Sequence, residues 1–372
     1  MPAQQFSRRK ALALGGAAVA GMTGLRATAP ARAAAPTAPV QRFYLGTYTS
    51  GGGRGIAKGH LDPASGSLTV DRWLTGIPEA SWLELDAARK NLYAISELTP
   101  GGTISALRIG AGGDPSPLGS VATGAGPAHV AIAPGGRYAI SSLYGGGGLA
   151  VNPIRVDGTV GPAVDVRSHG GPSHAHQVVA DPSGAYLLAV DLGLDAVIVY
   201  TLAQRTGKLT EVSRTAFPAG SGPRHLAFHP TRPIAYLASE NSSTVTVCKF
   251  AAGRLTAGQV RSTVASANGL NYPGEVAVAP SGRYVYVTNR GQNSIATFAV
   301  SPDGASLTFA GAPSCGGNWP RHLAIDSTGA WIYAVNQRSG DVSWFPLSPT
   351  TGLPGARAGS LPAAGAAVLR LA

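Results

Sequence analysis

One spacing dominates this sequence: a block of about 48 residues recurs six times. Each copy has an apolar segment, a turn, a returning strand that carries tyrosine, a polar gap and a third alternating strand. The first two copies are Trp82-Leu-Glu-Leu-Asp-Ala with Leu92-Tyr-Ala-Ile, and His129-Val-Ala-Ile-Ala-Pro with Tyr138-Ala-Ile-Ser. Gln177-Val-Val-Ala-Asp-Pro with Tyr186-Leu-Leu-Ala and His225-Leu-Ala-Phe-His-Pro with Ala235-Tyr-Leu-Ala follow. Glu275-Val-Ala-Val-Ala-Pro with Tyr284-Val-Tyr-Val and His322-Leu-Ala-Ile-Asp-Ser with Trp331-Ile-Tyr-Ala complete the series. The turn positions Ala87, Pro134, Pro182, Pro230, Pro280 and Ser327 are 47, 48, 48, 50 and 47 residues apart. Short alternating segments at this period, punctuated by Gly and Pro, predict four-stranded propeller blades. No 3.6-residue period is sustained, which excludes an α-solenoid.

A seventh unit is split between the chain ends. Phe43-Tyr-Leu-Gly-Thr-Tyr and Gly55-Ile-Ala-Lys-Gly-His read as second and third strands, and Ser67-Leu-Thr-Val as the fourth. The terminal Ala367-Val-Leu-Arg-Leu-Ala supplies the missing first strand. Pairing the ends would close the ring and leave no open sheet edge. The expected fold is thus an all-β, seven-bladed β-propeller over residues 36–372, with a C-terminal strand completing the N-terminal blade.

The first 35 residues fall outside that scheme. Ser7-Arg8-Arg9-Lys10 precedes an apolar, small-residue stretch from Ala11 to Leu25, then Ala31-Arg32-Ala33. This order of charge, apolar core and A-x-A site reads as a twin-arginine export signal. The apolar run is too short and Gly/Ala-rich for a membrane span. The mature chain, without a membrane span, is expected in the periplasm, outside the cell or on the cell wall.

Removing the signal changes the charge argument. The formal +11 includes Arg8, Arg9, Lys10, Arg26 and Arg32, in a stretch with no acid, so the mature chain carries +6. With 13% charged residues and no further basic run, a nucleic-acid surface is not expected. Small anionic ligands fit better. Cys248 and Cys315, the two cysteines, lie within a strand and in a linker; neither a disulfide between them nor a structural zinc is expected.

Alignment on the turn converts sequence into rough geometry. The start of each first strand and the end of each second strand meet at one mouth of the central channel. Six residues before the turn stand Ser81, Ala128, His176, Arg224, Gly274 and Arg321. Ten after it stand Glu97, Tyr144, Leu192, Glu240, Arg290 and Gln337, preceded by Ser96, Leu143, Asp191, Ser239, Asn289 and Asn336. The recurring His129, His225 and His322 read as blade-to-blade packing. His176, Glu240 and Arg290 break the pattern and are the better functional candidates.

The same residues carry a family resemblance. Phe43-Tyr-Leu-Gly-Thr-Tyr-Thr, His174-Ala-His-Gln, Gly222-Pro-Arg-His-Leu-Ala-Phe-His-Pro, Ser239-Glu-Asn-Ser-Ser-Thr-Val and Thr288-Asn-Arg-Gly resemble, in this order, the lactonase seven-bladed propeller family. That family includes propeller-type 6-phosphogluconolactonases and is similar to the fungal carboxymuconate lactonizing enzyme. The resemblance runs from about Gln41 to Ala372. It implies a histidine, two arginines and a glutamate at the active site, matched here by His176, Arg224, Glu240 and Arg290. His174 competes with His176 for the histidine match. An export signal fits poorly with a phosphorylated intracellular lactone as natural substrate. Tyr286-Val-Thr-Asn-Arg-Gly also resembles repeats of extracellular propellers that need not be enzymes.

The expected chemistry is metal-independent, cofactor-free hydrolysis of a small, anionic lactone by a monomer. Arginine forks suit planar anions and an oxyanion. Arg224 and Arg290 would hold the substrate and polarise its carbonyl. His176 is the favoured base and Glu240 its orienting partner, with the reverse assignment open. Arg321, Glu97, Gln337, Tyr144 and Asp191 are expected to contact substrate. No Gly-x-Ser-x-Gly elbow occurs, and the Gly51–Gly53 and Gly145–Gly148 runs open no helix, so serine-hydrolase and dinucleotide sites are not expected. A calcium site built on Asp191 or Asp195 lacks an acidic cluster to support it. The rival functions are a non-catalytic extracellular propeller that binds an anionic ligand or partner, and an isomerase that opens or forms a lactone.

Overall fold

The computed structural model describes residues 41–266 and 269–372. The stretch expected to be a twin-arginine signal lies outside the described residues.

Seven antiparallel four-stranded sheets form the blades of a β-propeller. Blade 1 takes its innermost strand, Ala366–Leu371, from the C-terminus and continues with Gln41–Thr47, Ile56–Leu61 and Leu68–Leu74. The other innermost strands are Trp82–Leu85, Pro127–Ile132, Ala175–Ala180, Pro223–Phe228, Tyr272–Val278 and Pro320–Ile325, for blades 2 to 7. Each packs against the next, and Ala366–Leu371 lies between those of blades 7 and 2. The ring therefore closes as the repeat implied.

Alternation of apolar side chains explains why these segments are strands. Second strands are buried over most of their length, because a neighbouring blade covers each face; Asn91–Ser96 and Ile234–Ser239 are buried at every position. Outermost strands are mostly exposed instead, as in Leu209–Ala216, where only Leu209 is buried. The apolar clusters sit between blades: one joins Phe43, Leu45 and Leu369 of blade 1 to Tyr333, Val335 and Trp344 of blade 7.

A recurring tyrosine clips five of the seven blades to the next. Tyr44, Tyr93, Tyr236, Tyr286 and Tyr333 donate to the carbonyls of Gly113, Gly158, Gly304, Gly352 and Gly66, at 2.7–3.2 Å. Each hydroxyl is thereby satisfied inside an apolar interface, where an unpaired one would be costly. The Tyr333 clip crosses the closing joint. Cys248 and Cys315 are both free and buried.

Candidate active site

The inner strands do not pair evenly at the rim. In blade 4, Ala175 pairs Asp191 and Gln177 pairs Val190, so His176 is bulged out of the ladder. Arg224 is skipped between Pro223 and His225, and Arg321 between Pro320 and His322. Ala128 is skipped in blade 3, and Ala367 in the C-terminal strand. In a regular strand, successive side chains point to opposite faces. The bulge breaks that rule and re-aims the extra residue. Arg224 with His225, and Arg321 with His322, consequently line one small cavity of about 10 Å³, together with Ser81, Trp82, Ala128, His176 and Ala367.

Gly274 is the rim residue of blade 6. A Cβ there would lie 2.9 and 3.0 Å from the Pro320 and Arg321 carbonyl oxygens, so the blades approach too closely for a side chain. Arg224 of blade 5 uses this position, donating from Nη1 to the Gly274 carbonyl.

Arg224, Glu240 and Arg290 come together as one cluster. Glu240 Oε2 lies 2.6 Å from Arg290 Nη2 and 3.1 Å from Arg224 Nε; the second pairing is ionic, without hydrogen-bond alignment. Arg290 also donates from Nε to the Tyr272 carbonyl (3.0 Å) and from Nη2 to that of Pro273 (3.1 Å). Burial pulls both guanidinium groups below the usual arginine range, and for Arg224 the neighbouring Arg290 and Arg321 add to this. Glu240 thus offsets a concentration of buried positive charge.

His176 is buried, and burial, reinforced by Arg224 and His225, holds its imidazole well below the ordinary value. It is neutral at pH 7. Its Nδ1 lies 3.1 Å from His225 Nε2, while none of the described residues bonds its Nε2. Tyr144 stands edge-on to His176 and stacks on His174. The His174 ring differs in placement: its Nδ1 is 2.9 Å from the Tyr144 carbonyl oxygen, outside the arginine cluster.

The expected substrate-contact residues divide. Glu97 accepts a 2.5 Å hydrogen bond from the Tyr48 hydroxyl and faces Arg321 at 3.4 Å. Burial opposes the charge on Arg321, but Tyr48 and Glu97 outweigh it and raise its pKa. Gln337, Glu97 and Arg321 line a depression of about 600 Å³ with Tyr48, Ser50 and Arg338. Asp191 departs from expectation. It is fully buried and accepts from Ser173 Oγ (2.5 Å), His174 N (2.9 Å) and Leu194 N (3.1 Å), with His169 Nδ1 at 2.6 Å. Its carboxylate anchors a loop and has no capacity left for a ligand. Asp195 is similarly occupied by the Gly220 and Gly222 amides, each at 2.7 Å, so neither aspartate is free to build a calcium site.

Three rim residues escaped the sequence reading. Tyr48 follows Thr47 as Glu97 follows Ser96, but in the split blade no turn joins the first two strands, so Tyr48 falls in no column. Its ring lies 5.2 Å beneath the Arg321 guanidinium. Trp319 lies under Arg338 at 3.3 Å and near Arg290 at 5.6 Å, and no repeat position marks either Trp319 or Arg338.

Residues 42–369 match the family described as "Lactonase, 7-bladed beta-propeller". This chain belongs to the lactonase seven-bladed β-propeller family. A 6-phosphogluconolactonase of Bacillus subtilis is 31% identical over 279 residues, covering 72% of this chain and 79% of the relative. The solved structure of a Pseudomonas aeruginosa periplasmic gluconolactonase aligns with a TM-score of 0.85 at 30% identity, over 89% of this chain and 99% of that one. A Lactobacillus plantarum protein of known structure aligns at 0.83 and 30%, over 90% and 99%.

Proposed function

We propose that this lactonase-family propeller hydrolyses a small, anionic sugar lactone or related lactone at the channel rim, without a metal ion. The observation that carries the reading is the convergence of Arg224 and Arg290 on Glu240, with neutral His176 beside Arg224 in the same rim cavity. Among the described residues, no group of three or more His, Cys, Asp or Glu is arranged to hold a metal. In this reading, activation of water rests on side chains.

His176 Nε2 takes a proton from water as the oxygen adds to the lactone carbonyl. Arg224 and Arg290 stabilise the oxyanion, held in place by Glu240 rather than reorganised during the step. The tetrahedral intermediate collapses, the ring C–O bond breaks, and His176 returns its proton to the departing alkoxide. The product is the open hydroxy acid. Arg321, Glu97, Gln337 and Tyr144 contact the rest of the substrate, and the Glu97 oxygen not engaged by Tyr48 accepts from a substrate hydroxyl. We assign residues 1–35 as a twin-arginine signal that exports the folded propeller, consistent with the periplasmic location named for the P. aeruginosa neighbour.

The test is acid release in a pH-stat from five- and six-membered lactones, with and without phosphate. Turnover of one class, lost in Arg224→Ala, Arg290→Ala and His176→Ala, supports the reading. Tight binding of an anionic sugar without acid release would establish the non-catalytic rival. Interconversion of ring forms without net hydrolysis would establish the isomerase. Lysine at Arg8 and Arg9 tests the signal: continued export would remove it.

A further inference from the structure

Beneath the rim, three blades contribute to one hydrogen-bonded line, and a fourth adds an ionic contact at its end. His176 of blade 4 meets His225 of blade 5 at 3.1 Å, and His225 Nδ1 meets Glu275 Oε1 of blade 6 at 3.0 Å. On its far side, Glu275 Oε2 faces His322 Nε2 of blade 7 at 3.5 Å. All four side chains are buried. We infer that Glu275 and His225 are positioning residues that fix which nitrogen of His176 carries the proton. This rests on the hydrolytic reading for its purpose, though not for its geometry.

The proton assignments follow from the fixed ends of the line. The Val276 amide donates to Glu275 Oε1 at 3.1 Å, so that oxygen already acts as an acceptor. At the other end, the Leu369 amide donates to His322 Nδ1, leaving the His322 proton on Nε2, on the side of Glu275 but without a hydrogen bond to its Oε2. An ionised Glu275 between two imidazoles requires His225 to donate from Nδ1. His225 Nε2 is then a lone pair, and His176 must donate to it from Nδ1. The remaining lone pair of His176, on Nε2, is the one with no protein partner. The line therefore leaves the basic nitrogen where water and substrate would be.

Protonating Glu275 would reverse every bond: the carboxyl would donate to His225, His225 to His176, and His176 Nε2 would carry hydrogen and lose its basicity. Burial pushes the Glu275 carboxyl up, while His322, Arg224 and Arg370 oppose that shift. The neutral state of His176 is set first by burial and then by Arg224, His225, Arg321 and Arg290, with Tyr144 at its edge. Ser142 Oγ donates to the His176 carbonyl at 2.9 Å and fixes the backbone on the third side. Packing alone would need neither a carboxylate at position 275 nor an imidazole at 225; apolar residues fill such space at lower desolvation cost.

The experiment has two arms. In the first, nitrogen-15 NMR of histidine-labelled wild-type protein, without substrate, reads the tautomer of His176 at pH 7. Protonation on Nδ1 is expected; protonation on Nε2 overturns the inference even if the protein hydrolyses lactones. This arm stands if no lactone is turned over, so failure of the function and failure of the line are distinguishable. In the second, Glu275→Gln should lower kcat at least about tenfold, with KM changed less than about twofold, as for other histidine bases in the wrong tautomer. Loss of the negative charge should also move the acid limb of kcat/KM to lower pH, and Glu275→Asp should restore part of the rate. A folded Glu275→Gln variant with wild-type kcat and an unmoved acid limb overturns the inference.

Discussion

Arg290 holds Glu240 by a 2.6 Å contact to Oε2, the same oxygen that Arg224 faces at 3.1 Å. One carboxylate thus keeps two buried cations side by side. Glu240→Gln preserves the shape and removes the charge, leaving the two guanidinium groups to repel. The expected cost is on the order of 3 kcal/mol of stability, the low end for breaking a buried ion pair, because Glu240 is part-exposed. Urea unfolding measures it. On lactone substrate, kcat/KM should fall at least about 100-fold, the scale of losing one preorganised oxyanion donor. An unchanged kcat/KM in folded protein would detach this carboxylate from the reaction.

Acid should loosen the ring before it reaches the ordinary carboxylate range. His129, His176, His225 and His322 are buried with pKa values below 6.5 because burial disfavours their charge, His322 at about 4. Below about pH 6.5 the unfolded chain binds protons that the folded chain resists, so stability is lost as pH falls from there toward 4. Thermal melts between pH 8 and pH 4 should show Tm constant above about 7 and falling below 6.5. A flat Tm down to pH 4.5 would contradict the neutral burial of these rings.

Gly274→Ala tests the closeness of blades 6 and 7. The added methyl meets two backbone carbonyl oxygens, which cannot swing aside as a flexible side chain can. Loss of about 1–3 kcal/mol is expected from overpacking. Because Arg224 bonds the Gly274 carbonyl, KM or kcat should change as well. Normal stability and kinetics would show that the blades have room to separate.

Leu369→Ala tests the closing strand. Leu369 is 1% exposed and packs among Phe43, Leu45, Tyr333 and Trp344. Truncation should cost about 2–5 kcal/mol, whereas Val156→Ala, at a fully exposed site, should stay within about 0.5 kcal/mol. Equal effects in denaturant melts would mean that the terminal strand contributes little to the ring.

The 48-residue period made the blades legible because every blade must bury both faces of its middle strands, which forces the same apolar spacing on each. The closing strand was legible for a related reason: the first unit lacks an innermost strand and the last unit is followed by one. The rim was visible as columns, since equivalent positions share a mouth, and Arg224, Glu240 and Arg290 do meet. What the columns could not give was direction. His176, Arg224 and Arg321 reach the channel through bulges, and a one-residue irregularity leaves no periodic signature. Asp191 looked functional as a lone acid in its column, but its partners Ser173 and His169 lie outside the aligned strands. His225 was set aside as packing because it recurs, although only in blade 5 does the recurring imidazole lie between a rim histidine and a buried glutamate.

The closing joint has a consequence for anything that occupies the rim. Tyr48 belongs to blade 1, Glu97 to blade 2 and Arg321 to blade 7, and Glu97 and Arg321 are 224 residues apart in the chain. They are neighbours only when the two ends of the chain have docked. A molecule lodged among them works as a clasp on the ring: its binding free energy is forfeited whenever the joint opens, so the bound protein resists separation of its termini by an amount that grows with the logarithm of ligand concentration above Kd.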